Sequence, residues 1–294
     1  YDGDKIRFRQ GTPEKIGGWT QISTSTFEGV CRSLHNWVTL GGQNLIGVGT
    51  HLKFYISNVG NYNDITPLRS TVSLTNPFTT TSGSAVVTVT DSNGGYQNGD
   101  YVTFSNATAV GGLTLNGEFV VSLSVTTAAN SYTITAASNA SSSATGGGTV
   151  SAAYQINVGN PFAVPIEGWG ASSWGSGAWN VGESSTTEIR FFSQSNFGED
   201  LIFGNNGGSI FYWDATGSVT TRAVLLSTLS GASDVPAIQN LILVSDISRF
   251  VFCFGTNPIG SNTIDPTLLR WSDQEDATNW TPSATNQAGS LRLS

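Results

Sequence analysis

Methionine is absent from the 294 residues, and cysteine and histidine occur only twice each. Two thiols as far apart as Cys31 and Cys253 make no disulfide framework, so a pair of reduced, buried side chains is expected. His35 and His51 have no cysteine beside them, which leaves no zinc-ligand spacing. Each lies in or beside a strand-like run, where packing accounts for it. Charge is scarce too, at 11% of residues against an ordinary ~25%. Helix bundles and coiled coils need Ala, Leu, Glu, Lys and Arg in quantity and are excluded. No apolar stretch approaches the ~18–20 residues that a membrane-crossing helix needs. GxSxG, HExxH, Walker-type and GxGxxG contexts are missing as well. The expectation is a protein with no catalytic constellation, metal or cofactor, and therefore not an enzyme.

The chain is rich in Ser, Thr, Asn and Gly, and it carries 8 Trp, 8 Tyr and 15 Phe. Turn-forming residues between aromatic and β-branched runs predict an all-β fold, and the aromatics supply enough surface to bury that disorder is excluded. Basic residues stop at Arg69 and resume at Arg190, while Asp91, Asp100, Glu118, Glu167, Glu183 and Glu188 fall between them. So sharp a shift in charge marks a domain boundary. The expected organisation is a body over residues 1–76, an inserted small β-sandwich or barrel over 77–157, a Trp/Gly-rich connecting loop over 158–187, and the rest of the body over 188–294. In the insertion, 85–90, 101–104, 117–121 and 131–135 alternate with period two, and three Asn–Gly pairs mark turns. Residues 141–148 (SSSATGGG) read as a surface loop.

The flanks hold a weak repeat. Residues 44–57, 200–215 and 249–273 each give a hydrophobic strand, a turn containing glycine, and a second strand with an aromatic end. Further strands are expected at 37–40, 189–192 and 241–244 before them, and at 66–72 and 220–226 after the first two. Four antiparallel strands per unit make the blade of a β-propeller. About three units are legible where propellers close with roughly four to eight, so the body is expected to be incomplete and the chain to continue beyond Ser294.

Two local features invite a functional reading. Trp169, Trp174 and Trp179 recur every five residues in a glycine-rich run, a period that suits neither a helix face nor a strand face. They are candidates for subunit-interface anchors, for anchors of the loop on its own domain, or for a sugar-stacking platform. In residues 270–280 (RWSDQEDATNW), Asp273, Glu275 and Asp276 could serve acid–base chemistry or Ca²⁺ binding. The favoured reading is structural: Asp273 and Asp276 capping a hairpin turn that Trp280 pins.

Residues 2–19 (DGDKIRFRQGTPEKIGGW), 33–36 (SLHN), 47–53 (GVGTHLK) and 63–69 (NDITPLR) resemble the tail nozzle proteins of short-tailed bacteriophages, also called tail tubular or DNA-stabilisation proteins. Residues 196–201 (NFGEDL), 212–214 (YWD) and 270–280 look like the same family. In the insertion, 98–104 (NGDYVTF) and 116–120 (NGEFV) are similar to a small β-domain first named in ubiquitin-activating enzymes. The resemblance implies a structural virion protein of the phage tail, a propeller-based subunit in a homo-oligomeric ring, usually sixfold, around the DNA ejection channel. Its implied partners are tail adaptor and tail fibre or spike proteins, with double-stranded DNA passing without specific binding. A net charge of −8 suits such a conduit, because phosphate contacts would have to be undone as the duplex slides. The alternative is a carbohydrate-binding adhesin of the tail, recognising host glycans through the tryptophan loop or the insertion.

Overall fold

The computed structural model describes residues 6–16, 23–123, 130–161 and 189–293. The chain is all-β: a propeller-like body of three four-stranded antiparallel sheets, with a two-sheet sandwich inserted after the first. A short hairpin, β1 (Ile6–Arg9) and β2 (Thr12–Lys15), precedes them. Its turn is Gln10–Gly11, where both residues take positive φ, as a two-residue hairpin requires.

Blade one is the meander β3 (Cys31–Val38), β4 (Asn44–Thr50), β5 (Phe54–Asn58) and β6 (Asn61–Asp64). The insertion follows as β7 (Leu68–Thr75), β8 (Phe78–Thr80), β9 (Val86–Thr90), β10 (Tyr101–Ser105), β11 (Gly117–Val120), β12 (Ser131–Thr135), β13 (Ala144–Gly146) and β14 (Thr149–Gln155). Blade two is β15 (Phe192–Phe197), β16 (Asp200–Asn205), β17 (Ile210–Trp213) and β18 (Val224–Leu225), with a 3₁₀ turn at Leu226–Thr228. Blade three is β19 (Gln239–Val244), β20 (Val251–Thr256), β21 (Asp265–Trp271) and β22 (Gly289–Arg292).

The blades stack with their first strands together, β3 on β15 and β15 on β19, as sheets arranged around a propeller axis do. Alternation in each strand supplies two apolar faces. Phe192, Leu201, Phe203 and Trp213 of blade two pack on Trp37, Leu45, Phe54 and Ile56 of blade one. Phe54 and Phe203 stack with their rings 3.9 Å apart. From the other face of blade two, Ile202 and Ile210 meet Ile242, Val244, Val251 and Cys253 of blade three. Glycine makes the first interface close: a Cβ at Gly47 would lie 2.1 Å from the Gln194 side chain.

In the insertion, the sheet β11-β10-β14-β7 faces the sheet β12-β9-β8-β13 across a core containing Phe78, Val87, Val102, Phe104, Ile134 and Val150. Within it, Tyr132 and Tyr154 share a hydrogen bond of 2.7 Å, and Tyr154 donates to buried Asp91 at 2.7 Å.

Several strands fall elsewhere than expected. The strand anticipated at 66–72 as the fourth of blade one is β7, which pairs along β14 inside the sandwich. The fourth strand of blade one is instead the polar β6, joined to β5 through a tight turn in which Val59 and Gly60 have positive φ. The Ser/Gly-rich run 141–148 contains β13, which pairs with β8 while Thr80 Oγ1 donates to the Ser142 and Ala144 carbonyls. Backbone pairing there overrides a composition that favours loops. Of the two thiols, both free, Cys253 is buried and Cys31 only half-buried. Burial pushes the Cys253 thiol well above its ordinary range.

Candidate functional site

Among the described residues, a dense cluster of ionisable side chains lies where blade one, the insertion and blade two meet. Lys53, 4% exposed, is placed by the turn before β5, where Thr50 Oγ1 accepts the Leu52 and Lys53 amides and donates to the Lys53 carbonyl. Its Nζ lies 2.5 Å from Glu118 Oε1 of the insertion, 3.3 Å from Asp64 Oδ2 and 3.7 Å from Glu28 Oε2. It also sits 4.3 Å from the centre of the Tyr101 ring. Gln155 of β14 donates to Glu118 at 2.7 Å. Arg222, just before β18, reaches Asp64 at 3.5 Å and Glu118 at 3.8 Å, and it donates to the Thr66 carbonyl at 2.7 Å.

Burial works against the Lys53 charge. The Glu118 hydrogen bond and the carboxylates of Asp64, Glu118 and Glu28 outweigh it and hold the ammonium above its ordinary pKa. Burial likewise pushes Tyr55 up to about 12 and Tyr101 higher still. The amine and both phenols therefore keep their protons at neutral pH, so neither a nucleophilic lysine nor a phenolate base is available. A cleft of about 480 Å³ opens above Tyr101 and Glu118. Chemically the cluster is a lock: ion pairs and hydrogen bonds that cross three structural units.

A second junction stands beside it. Asp100, fully buried, pairs with Arg69 at 3.6 Å and accepts from Asn157 Nδ2 at 2.7 Å and from the Val158 amide at 3.0 Å. Arg190, 4% exposed, donates to the His51 and Asn157 carbonyls and lies over the Phe192 ring. Burial lowers its pKa to about 10. Glu118 of the charge-poor insertion is thus the partner of Lys53 and Arg222 in the flanking body, while Asp100 pairs with Arg69 of the insertion's own β7.

The other residues singled out in the sequence lie apart from this cluster. Trp169, Trp174 and Trp179 lie outside the described residues. Asp273 Oδ1 accepts the Gln274 and Gln287 amides, both at 2.8 Å, and Asp276 Oδ1 accepts the amide and hydroxyl of Thr278 at 2.9 and 2.6 Å. Trp280 is 1% exposed, and its Nε1 donates to the Ala277 carbonyl at 2.8 Å. Asp214 and Thr216 repeat the Asp276–Thr278 turn after the third strand of blade two, in the same Asp-Ala-Thr string. His35 contacts Asn196 Oδ1 at 2.5 Å across the first blade interface, and His51 Nδ1 accepts the Val30 amide. Burial, then the charges of Arg32 and Arg190, lower the His51 pKa. Glu199 bonds the Leu40 amide, while its neighbour Asp200 bonds Tyr212 and the Ala215 amide, so the two carboxylates serve different partners. Among the described residues, no group of three or more His, Cys, Asp or Glu side chains could hold a metal ion.

Fold and site together define an all-β scaffold whose charged residues join blades to an inserted sandwich. No family model and no curated protein matches the chain. Among solved structures, the phage phi92 endosialidase aligns with 96% of this chain at 16% identity and a TM-score of 0.26. The chain spans 40% of that protein's length.

Proposed function

We propose that this chain is a structural protein of a bacteriophage tail, a nozzle or tail-tube subunit that assembles as a ring around the DNA ejection channel and acts without catalysis. The observation that carries the reading is where the family-like strings come together. Residues 47–53 and 63–69 supply Lys53, Asp64 and Arg69; 98–104 and 116–120 supply Asp100, Tyr101 and Glu118. Strings far apart in the chain thus meet in two adjoining junctions. His35 of 33–36 likewise meets Asn196 of 196–201. Residues that specify how blades and insertion are joined are what the wall of a channel requires, and a net charge of −8 keeps a phosphate backbone from adhering to it.

The test is to label the protein in the assembled particle and locate it by electron microscopy, and to measure its binding to tail adaptor rings. A ring on the tail axis, of sixfold order by the resemblance, is the expected result. A protein that neither assembles nor binds tail adaptor rings, or one found on the fibres with affinity for host glycans, overturns the reading.

A further inference from the structure

Blade three ends the stack with an apolar face. Strand register sets Leu241, Phe254, Leu269 and Leu291 in one row across all four strands, and Leu243, Phe252 and Trp271 in the next. Leu241, Leu243 and Leu291 are 49%, 50% and 53% exposed. The indole of Trp271 leans over Gly289, where a Cβ would come within 2.4 Å of the ring. The opposite face of this blade is the one packed on blade two.

At the other end of the stack the outer strands of blade one are covered, with Phe27 packed on Tyr55 and Tyr62, and its inner strands are open. On blade one, His35 and Gly47 face blade two, whereas Leu34, Val38 and Ile46 point the other way and are 68%, 59% and 39% exposed. Stacked repeats ordinarily finish in polar caps. Both internal interfaces join the leading face of one blade to the trailing face of the next, first strand beside first strand. The free face of blade three is a leading face, and that of blade one is a trailing face.

We propose that a second copy of this chain covers both, the leading face of blade three in each copy packing on the trailing face of blade one in the other. Continuity with the two interfaces already present decides the occupant: the contact repeats the same stacking one step further. Two copies of a three-blade stack close with six blades, inside the range of roughly four to eight at which propellers close. The pair is two-fold and leaves no apolar end exposed, so it neither polymerises nor needs a cap. The proposal stands on the blade faces and is independent of the tail reading; a larger ring would be built from such pairs.

Sedimentation and native mass of the whole chain test it. The unaltered protein is expected to weigh as a pair. Leu243→Asp on blade three and Leu34→Asp on blade one are each expected to raise the pair's dissociation constant by more than about a hundredfold, because each places a charge in a dry contact. Mixing the two variants is expected to return a weaker pair, since one of its two contacts then joins two unaltered faces. Where an aspartate variant fails to fold, Leu243→Ser and Leu34→Ser give the same readings. A single-chain mass for the unaltered protein overturns the proposal, whether the faces stay bare or residues outside 1–294 cover them. So does dissociation by Leu243→Asp alone, which would mean that blade three meets something other than blade one.

Discussion

Lys53 and Glu118, 65 residues apart, close a 2.5 Å ion pair between the first blade and the inserted sandwich. Removing one partner of a buried pair strands the charge of the other. Lys53→Met is therefore expected to cost about 1–3 kcal/mol, since it takes the ammonium from Asp64, Glu118 and Glu28, while solvent and the Arg222 guanidinium compensate part of the remaining negative charge. Glu118→Gln is expected to cost less, because Asp64 and Glu28 still face the ammonium. Denaturant unfolding of both variants and of the double variant gives the coupling; additive costs would show that the two side chains do not act together.

The pH dependence follows from groups whose pKa is raised on folding. Burial, outweighing the Tyr154 hydrogen bond, pushes Tyr132 well above the ordinary 10, and burial with the nearby Tyr132 and Asp91 does the same to Tyr154. A raised pKa gives stability that is complete below the unfolded value and is lost as pH rises past it. Lys53, raised from 10.5, acts in the same direction. Melting temperature is expected to fall above about pH 10, with the tyrosinate absorbance of Tyr132 and Tyr154 appearing only as the protein unfolds. Ionisation of both phenols in a folded protein would contradict this.

Trp280 fills the space under the blade-three hairpin and is 1% exposed. Trp280→Ala is expected to cost about 3–5 kcal/mol through the cavity it leaves, read as a lower thermal midpoint. Asp276→Ala removes two hydrogen bonds to Thr278 and is expected to cost about 1 kcal/mol. An unchanged midpoint in Trp280→Ala would show that the hairpin is not anchored by the indole.

The insertion leaves and re-enters the body at neighbouring points, since the Ile156 amide bonds the Pro67 carbonyl at 3.0 Å. Excising 68–156 with a short Gly/Ser linker is expected to leave the three blades folded but less stable, because Lys53 then loses Glu118 and Tyr101. Excising 77–157 instead strands β7 without β14 and is expected to aggregate through its unpaired edge. Circular dichroism and light scattering of the two deletions compare them; equal behaviour would mean that β7 holds its place without its sheet.

Composition and period-two runs made the all-β class legible, together with the hairpins at 44–57 and 200–215. The turns at Asn93–Gly94 and Asn98–Gly99 were legible as well, each with its glycine at positive φ, whereas at Asn116–Gly117 the positive-φ glycine opens β11. Asp100 and Glu118 were legible as the acids of a charge-poor stretch but not as partners of Arg69 and Lys53. Residues 61–64 (NYND) and 289–292 (GSLR), the outermost strands of blades one and three, carry little or no alternation to read. They are strands because a neighbouring strand offers them a row of backbone groups.

Local sequence by itself determined where strands and turns could form, because alternation and positive φ are properties of a few adjacent residues. It also left the chain without a zinc-type ligand spacing. Tertiary structure decided to which sheet each strand belongs: β7 has a period of two that would serve blade or sandwich equally well, and only pairing with β14 assigns it to the sandwich. It also decided that Glu118 of the insertion meets Lys53 of the body, and that apolar side chains are exposed at both ends of the blade stack. Ion pairs and face-to-face packing depend on positions in space, and residues 65 apart acquire those only when the sheets are assembled.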